Sequence, residues 1–164
     1  MKLNVTLCVL LLAFLAGCGD DTPVWDATNP RFTVAGDTVT DNQTGLMWSR
    51  NANHGQLTWS DAMAYCDNLT YGGYSDWRLP SREELLSLID REYRDPAIDN
   101  TDGSAQWTEG NPFTGVQSDY YWTSKTFSDD YPNDAWYVYV ASGCHYFGTK
   151  DICHFYVWPV RGGK

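Results

Sequence analysis

The residues best suited to do chemistry lie in one run, Phe127-Ser128-Asp129-Asp130-Tyr131-Pro132-Asn133-Asp134-Ala135-Trp136. Three carboxylates (Asp129, Asp130, Asp134) and the amide of Asn133 alternate there with aromatic rings. Carboxylates and amides exchange hydrogen bonds with sugar hydroxyls, and a face such as that of Trp136 covers the apolar side of a sugar ring. A glycan site uses this mixture. The competing expectation is a polar turn between two strands whose aromatics belong to the core. Trp107 is a further aromatic candidate for ligand contact, because it lies in a long irregular segment.

That segment, residues 91–119, is rich in Asp, Asn, Gly, Thr and Pro and has no helical or strand periodicity. Stretches of this length in a small domain are functional or disordered. Within it, Asp99-Asn100-Thr101-Asp102-Gly103 has the residue types of a calcium loop. It departs from the helix-loop-helix pattern because Ile98 stands where the first acid belongs and no Glu closes it. Pro132-Asn133-Asp134 has the residue types by which calcium-dependent lectins hold metal and sugar together, at a different spacing. Asp99, Asp102 and Asp134 are therefore the calcium candidates, and Ca2+ is the one cofactor these residue types suggest. Solvated acidic turns are the alternative.

Two doublets near the end, Cys144-His145 and Cys153-His154, invite a zinc site, but adjacent strand residues point to opposite faces and four ligands do not converge. Gly148-Thr149 suits a two-residue hairpin turn with glycine first. Pairing outward from it sets Cys144 opposite Cys153 at a non-hydrogen-bonded position, within disulfide range. A disulfide Cys144–Cys153 is expected, with Cys66 pairing to either as the alternative.

The elements that must position these groups are legible around Gly72-Gly73-Tyr74-Ser75-Asp76-Trp77-Arg78-Leu79-Pro80-Ser81-Arg82-Glu83-Glu84-Leu85. Two glycines make a turn, a short strand Trp77-Arg78-Leu79 is stopped by Pro80, and Ser81-x-x-Glu84 opens a helix as a capping box. Leu85, Leu88 and Ile89 form its buried face. Glu83 and Glu84 suit the helix's first turn. Arg78 is expected to tie loops together by donating to carboxylates or carbonyls, and Arg161 likewise.

Upstream, Phe32-Thr33-Val34 and Thr38-Val39-Thr40 predict a hairpin, and Leu46-Met47-Trp48 a third strand. Asp41 is placed to hold the turn that follows it. Thr58 is an N-cap for a helix to Leu69, with Trp59, Ala62, Met63, Cys66 and Leu69 on its core face. Downstream, Tyr120 to Ser124, Trp136 to Val140 and His154 to Arg161 read as strands, with residues 127–136 as a loop between the first two and the last strand apolar on both faces with Pro159 near its end.

The chain has 164 residues, one domain's worth, with eight Trp and eleven Tyr. Its formal charge is -10. Its overall field gives no attraction to nucleic acid. Residues 1–17 resemble a lipoprotein signal peptide. A basic start precedes an apolar run too short to span a bilayer, and the run ends Leu15-Ala16-Gly17-Cys18. Cys18 is the expected lipidation site. Gly19 after it favours the outer membrane, and the acyl chains anchor the protein there. An ordinary secretory signal is the alternative. Removing the leader with Lys2 leaves ten basic against 21 acidic residues, or -11. Residues 18–30 read as a polar tether, and residues 31–164 as the folded domain.

Four motifs occur in order: Asp41-x-x-Thr44-Gly45-Leu46-Met47-Trp48, Trp59-x-x-Ala62-x-x-Tyr65-Cys66-x-x-Leu69, Gly73-Tyr74-Ser75-Asp76-Trp77-Arg78-Leu79-Pro80 and Val160-Arg161-Gly162-Gly163. Together they resemble the C-terminal domain of the Legionella collagen-like proteins, from about Arg31 to the end. The resemblance implies an α+β, C-type-lectin-like fold, with two short helices packed on small antiparallel sheets and long irregular loops. Trp48, Trp59, Trp77, Arg78, Leu79, Pro80 and Arg161 are its structural motif residues. It also implies adhesion through glycan binding, with the middle loops as ligand surface. Many relatives carry a cysteine just before the final Val-Arg. Here Pro159 stands there, which leaves a pairing of Cys66 with the last strand in doubt.

The expected function is a lipid-anchored envelope module that binds a glycan or a surface protein. The family's link to sulfated polysaccharide suits a chain at -11 poorly, and a neutral glycan or protein suits it better. A structural envelope subunit is the rival. An enzyme of the formylglycine-generating type, which shares the broad fold, needs a reactive cysteine pair in its cleft. The sequence also holds no nucleophile with an adjacent base, no phosphate loop and no zinc-protease helix.

Overall fold

Strand segments within residues 32–57 and 120–161 build two sheets, and two short capped helices lie between them in sequence. The computed structural model describes residues 30–162. The expected signal peptide, the expected lipidation site Cys18 and the expected tether up to residue 29 lie outside the described residues.

The first sheet has the order β1-β2-β3-β9 and is antiparallel: β1 Phe32–Ala35, β2 Thr38–Asp41, β3 Met47–Ser49 and β9 Val160–Arg161. Asp41 is buried and accepts the Gln43 amide on its side chain, holding the turn into β3. The second sheet has the order β4-β8-β5-β6-β7: β4 Gln56–Leu57, β5 Tyr120–Ser128, β6 Tyr131–Tyr139, β7 Cys144–Thr149 and β8 Phe155–Tyr156. It is antiparallel except where β5 meets β8. The protein is thus α+β, with α1 Trp59–Asp67 and α2 Arg82–Ser87.

Both helices start where their caps dictate. Thr58 accepts the Asp61 amide, and Ser81 and Glu84 form a reciprocal capping box. Ala62 and Cys66 are the buried residues of α1, and Leu85 that of α2.

The second sheet has a core on each face, because its pleat sends neighbouring residues opposite ways. Tyr121 and Val138 enter a cluster with Phe32, Trp48, Leu85, Leu88, Phe113 and Trp158. Trp122 and Ala135 enter another with Ala62, Cys66, Leu79 and Val157. In the first cluster Trp158 packs edge-on to Phe113 at 4.8 Å and to Trp48 at 5.7 Å. Its indole N–H donates to the Ser49 carbonyl at 3.0 Å.

Several expectations are corrected. Residues 127–136 are a hairpin, not a loop: β5 runs to Ser128 and β6 begins at Tyr131, leaving only Asp129-Asp130 as the turn. Trp77-Arg78-Leu79 makes a single bridge, Arg78 to Val160, instead of a sheet strand. Residues 154–161 do not form one strand. β8 and β9 belong to different sheets, and the buried Val157-Trp158-Pro159 crosses between them.

The expected Cys144–Cys153 disulfide is absent, and Cys66, Cys144 and Cys153 are all free. Gly148 is not at a turn. It lies within β7 opposite Ala135, where a Cβ would sit 3.1 Å from Cys153 Sγ and 3.2 Å from the Tyr137 ring. Glycine serves close approach there, not chain reversal. Cys144 pairs with Tyr139, four residues along the strand from Gly148, or about 13 Å at the usual strand rise. A hairpin register drawn from the wrong turn put two distant thiols together.

Residues 91–119 form no helix and no extended strand, yet they are tied down. Ile98, Phe113 and Val116 enter the main core, and single bridges join Ile89 to Ile98, Asp99 to Gln106 and Asn51 to Thr114. The apolar residues of this segment fill the interior, so its outer surface is a set of polar turns.

Candidate functional site

The candidate residues of the 127–136 run come together at the free end of β5, β6 and β7. Register decides which rings meet: Trp136 pairs with Phe147 across β6–β7, so both lie on one face, with His145 two residues along. Phe127 on β5 stacks on Phe147 at 3.9 Å and 21° and meets Trp136 edge-on at 4.9 Å. Tyr131 adds a fourth ring, 5.8 Å from Phe127. The platform is partly open to solvent: Tyr131 is 58% exposed and Phe147 48%.

Strand alternation separates the polar groups. Asp134 shares the Trp136 face, whereas Asn133 points to the other. Asp129 and Asp130 occupy the exposed turn. Among the described residues none of the three carboxylates enters an ion pair. From α2, Arg82 lays its guanidinium 4.7 Å over the Trp136 ring while pairing with Glu83. Beneath the hairpin, Lys150 Nζ donates to the Pro132 carbonyl at 2.7 Å and Thr126 Oγ1 at 2.9 Å, and its ammonium lies over Trp59. These contacts brace the hairpin from the side opposite its rings.

The other candidates are elsewhere and otherwise engaged. Trp107, half-buried, packs against the main core and donates its indole N–H to the Phe113 carbonyl at 3.0 Å, apart from the platform. Asp99 is buried in an ion pair with Arg31, which also reaches the Ser87 carbonyl. Burial lowers the pKa of Arg31, against the opposing fields of Asp41 and Asp90. Asp102 is exposed and accepts the Ser104 amide and hydroxyl, which hold its carboxyl below the ordinary range. Asp134 is on β6, away from both. The three calcium candidates do not converge, and no group of three His, Cys, Asp or Glu among the described residues is placed to hold a metal.

The motif residues form the frame. Trp48 is buried, Trp59 donates to the Thr123 carbonyl at 2.8 Å, and Trp77 donates to the Tyr71 carbonyl at 3.0 Å. Leu79 is buried, and Pro80 accepts the Ser124 amide at 2.8 Å, linking the stretch before α2 to β5. Arg161 grips Asp76 at 2.6 and 3.0 Å while lying over Tyr74.

Phe127 and Tyr131 belong to the run without being singled out in it, and His145, Phe147 and Arg82 join the platform from outside the run. Their signal was present: His145 and Phe147 alternate as Asp134 and Trp136 do. Only the register of β6 on β7 says that the two sets share a face. A cavity of about 310 Å³ lies by Thr44, Leu46, Glu83, Glu84 and Ser87, where Glu84 is already held by Arg78 and Ser81. Another, of about 380 Å³, opens at the β6–β7 turn beside the platform.

Two small sheets and two capped helices define an α+β domain, and the aromatic platform is its candidate surface site. The chain belongs to the family of the Lcl C-terminal domain, whose model matches residues 37–161. No curated protein matches the chain.

Proposed function

We propose that the protein is a lipid-anchored envelope module of C-type-lectin-like architecture that binds a glycan on the platform of Phe127, Tyr131, Trp136 and Phe147. The observation that carries this reading is the exposure of Tyr131 and Phe147 beside ion-pair-free carboxylates. Open ring faces take the apolar side of a sugar, and Asp134, Asp129 and Asp130 accept its hydroxyls. An acidic rim favours a neutral sugar over a polyanion at this face. Recognition without bond chemistry suits the one fully buried thiol among the described residues: burial pushes Cys66 up to about 12, so it stays protonated.

Glycan-array binding by the full chain, with and without a chelator, tests the proposal. Trp136→Ala and Asp134→Asn are expected to abolish the signal while leaving the unfolding transition cooperative. Binding that survives both substitutions overturns it. For the anchor, Cys18→Ser is expected to release the protein from the membrane fraction or block its processing. A processed Cys18→Ser protein still in that fraction excludes lipidation there.

One observation favours a second reading, a structural subunit of the envelope. β7 is an edge strand carrying exposed Tyr146 and Phe147, the kind of edge another chain pairs with. A negative array together with concentration-dependent self-association would support it.

A further inference from the structure

The cavity of about 380 Å³ at the β6–β7 turn is lined by Arg91, Arg94, Ser142, Cys144, His145 and Tyr146. Its charge is opposite to that of the chain. The protein carries 21 acidic against 11 basic Lys and Arg residues, yet this wall has two guanidiniums and no carboxylate. Neither arginine enters an ion pair among the described residues. Arg91 gives one nitrogen to the Gly143 carbonyl at 3.3 Å, and Arg94 gives Nη1 to the carbonyls of Tyr93 and Arg91. Among the described residues their remaining N–H groups have no partner. His145 Nδ1 is buried without a partner, and Ser142 and Tyr146 add hydroxyls.

The exposed Cys144 reports the local field. Hydrogen bonds from the Ser142 and Tyr146 side chains lower its thiol pKa, and Arg91 and Arg94 lower it further. A wall that stabilises a thiolate also stabilises a bound anion.

We propose that this cavity binds a small hydroxylated carboxylate, such as a sugar acid or hydroxy acid. The planar guanidinium fork matches a carboxylate. The Ser142 and Tyr146 side chains supply partners for hydroxyls. The volume falls at the lower end of small-molecule sites. A single negative charge meets less repulsion from the acidic remainder of the chain than a polyanion does. The site is independent of the aromatic platform, although Trp136 and His145 lie only 5.6 Å apart.

Two sources share this chemistry, the terminal acidic sugar of a glycan and a free open-chain acid. Methyl β-D-glucuronide and D-gluconate are therefore separate probes, with methyl β-D-glucoside and inorganic sulfate as controls. The readout is the alkylation rate of Cys144 by neutral iodoacetamide on the full chain, followed by peptide mass spectrometry with Cys153 as internal reference. At twice its dissociation constant, a ligand covering Cys144 slows the reaction about threefold. Such slowing is expected for at least one acid, with Cys153 unchanged and no protection by the glucoside. Protection by the glucuronide alone assigns the glycan source, and by gluconate alone the free acid. In the double variant Arg91→Gln, Arg94→Gln the rate with the acid is expected to return to the rate without it, while the unfolding midpoint stays put. No protection by either acid, equal protection by sulfate or the glucoside, or protection that persists in the double variant overturns the proposal.

Discussion

Arg78 holds Glu84 with both terminal guanidinium nitrogens, each 2.7 Å from a carboxylate oxygen, while Glu84 accepts the Ser81 amide at 2.7 Å. One carboxylate thus caps α2 and anchors the stretch that feeds it. A further N–H of Arg78 reaches the Gly162 carbonyl at 2.8 Å, tying in the chain's end.

Arg78→Ala is expected to lower stability at neutral pH by about 1–2 kcal/mol, a figure kept modest because the Arg78 side chain is 37% exposed. Arg78→Lys should recover only part, since an ammonium cannot make the fork. Burial alone would raise the Glu84 pKa, but Arg78 and Ser81 outweigh it and leave it lowered. The Glu84 contribution is therefore present above the ordinary glutamate range and lost as pH falls through the lowered folded value. Urea midpoints at neutral and acid pH check both points: the gap between wild type and Arg78→Ala should narrow in acid.

His54 gives a second pH dependence in a separate window. Its Nδ1 meets the Tyr65 hydroxyl at 2.8 Å, and its Nε2 is buried without a partner. Burial lowers its pKa, against the Asn51 backbone, so the folded state favours the neutral ring. The unfolded chain binds the proton more readily, so this contribution is complete above about 6.5 and declines as pH falls through the folded value. Urea midpoints from pH 7.5 down to 5 should drop in wild type and stay flatter in His54→Gln.

The three described thiols should separate by reactivity. Cys144 is exposed with a lowered pKa, Cys153 is half-buried, and Cys66 is buried at about 12. Brief alkylation of the native chain is expected to label Cys144 first and Cys66 only after unfolding. Non-reducing peptide mapping should find no Cys144–Cys153 crosslink.

Gly143 and Gly36 form a matched pair. Both have positive φ, +71° and +59°, but a Cβ at Gly143 would lie 2.3 Å from Ile89 Cγ2, whereas at Gly36 it meets open space. Gly36→Ala is expected to cost about 1 kcal/mol for backbone conformation alone. Gly143→Ala should cost about 2–3 kcal/mol because overpacking adds to it. Chemical denaturation of the two variants reads the difference.

Local rules carried far in this chain. Ser81 and Glu84, Thr58 with its apolar stripe, and the first hairpin each involve neighbours within a few residues, so residue type and spacing were enough. The four ordered motifs likewise marked the family. The 127–136 run was visible as a mixture of acids and rings but read as a loop, because its turn residues Asp129-Asp130 sit inside a longer polar stretch. Gly148 misled for a related reason: a glycine needed for the nearness of Cys153 and Tyr137 looks in sequence like one needed for a turn.

By itself, then, the sequence determined the starts of the capped helices, the first hairpin with the strand after it, and the acidic, aromatic-rich character of the chain. Tertiary structure alone decided that Trp136 faces Phe147, that Cys144 and Cys153 lie apart, and that Arg91 and Arg94 meet His145 around one cavity. Those outcomes depend on strand register and on packing between distant segments. A shift of one residue in β7 would send every side chain to the opposite face.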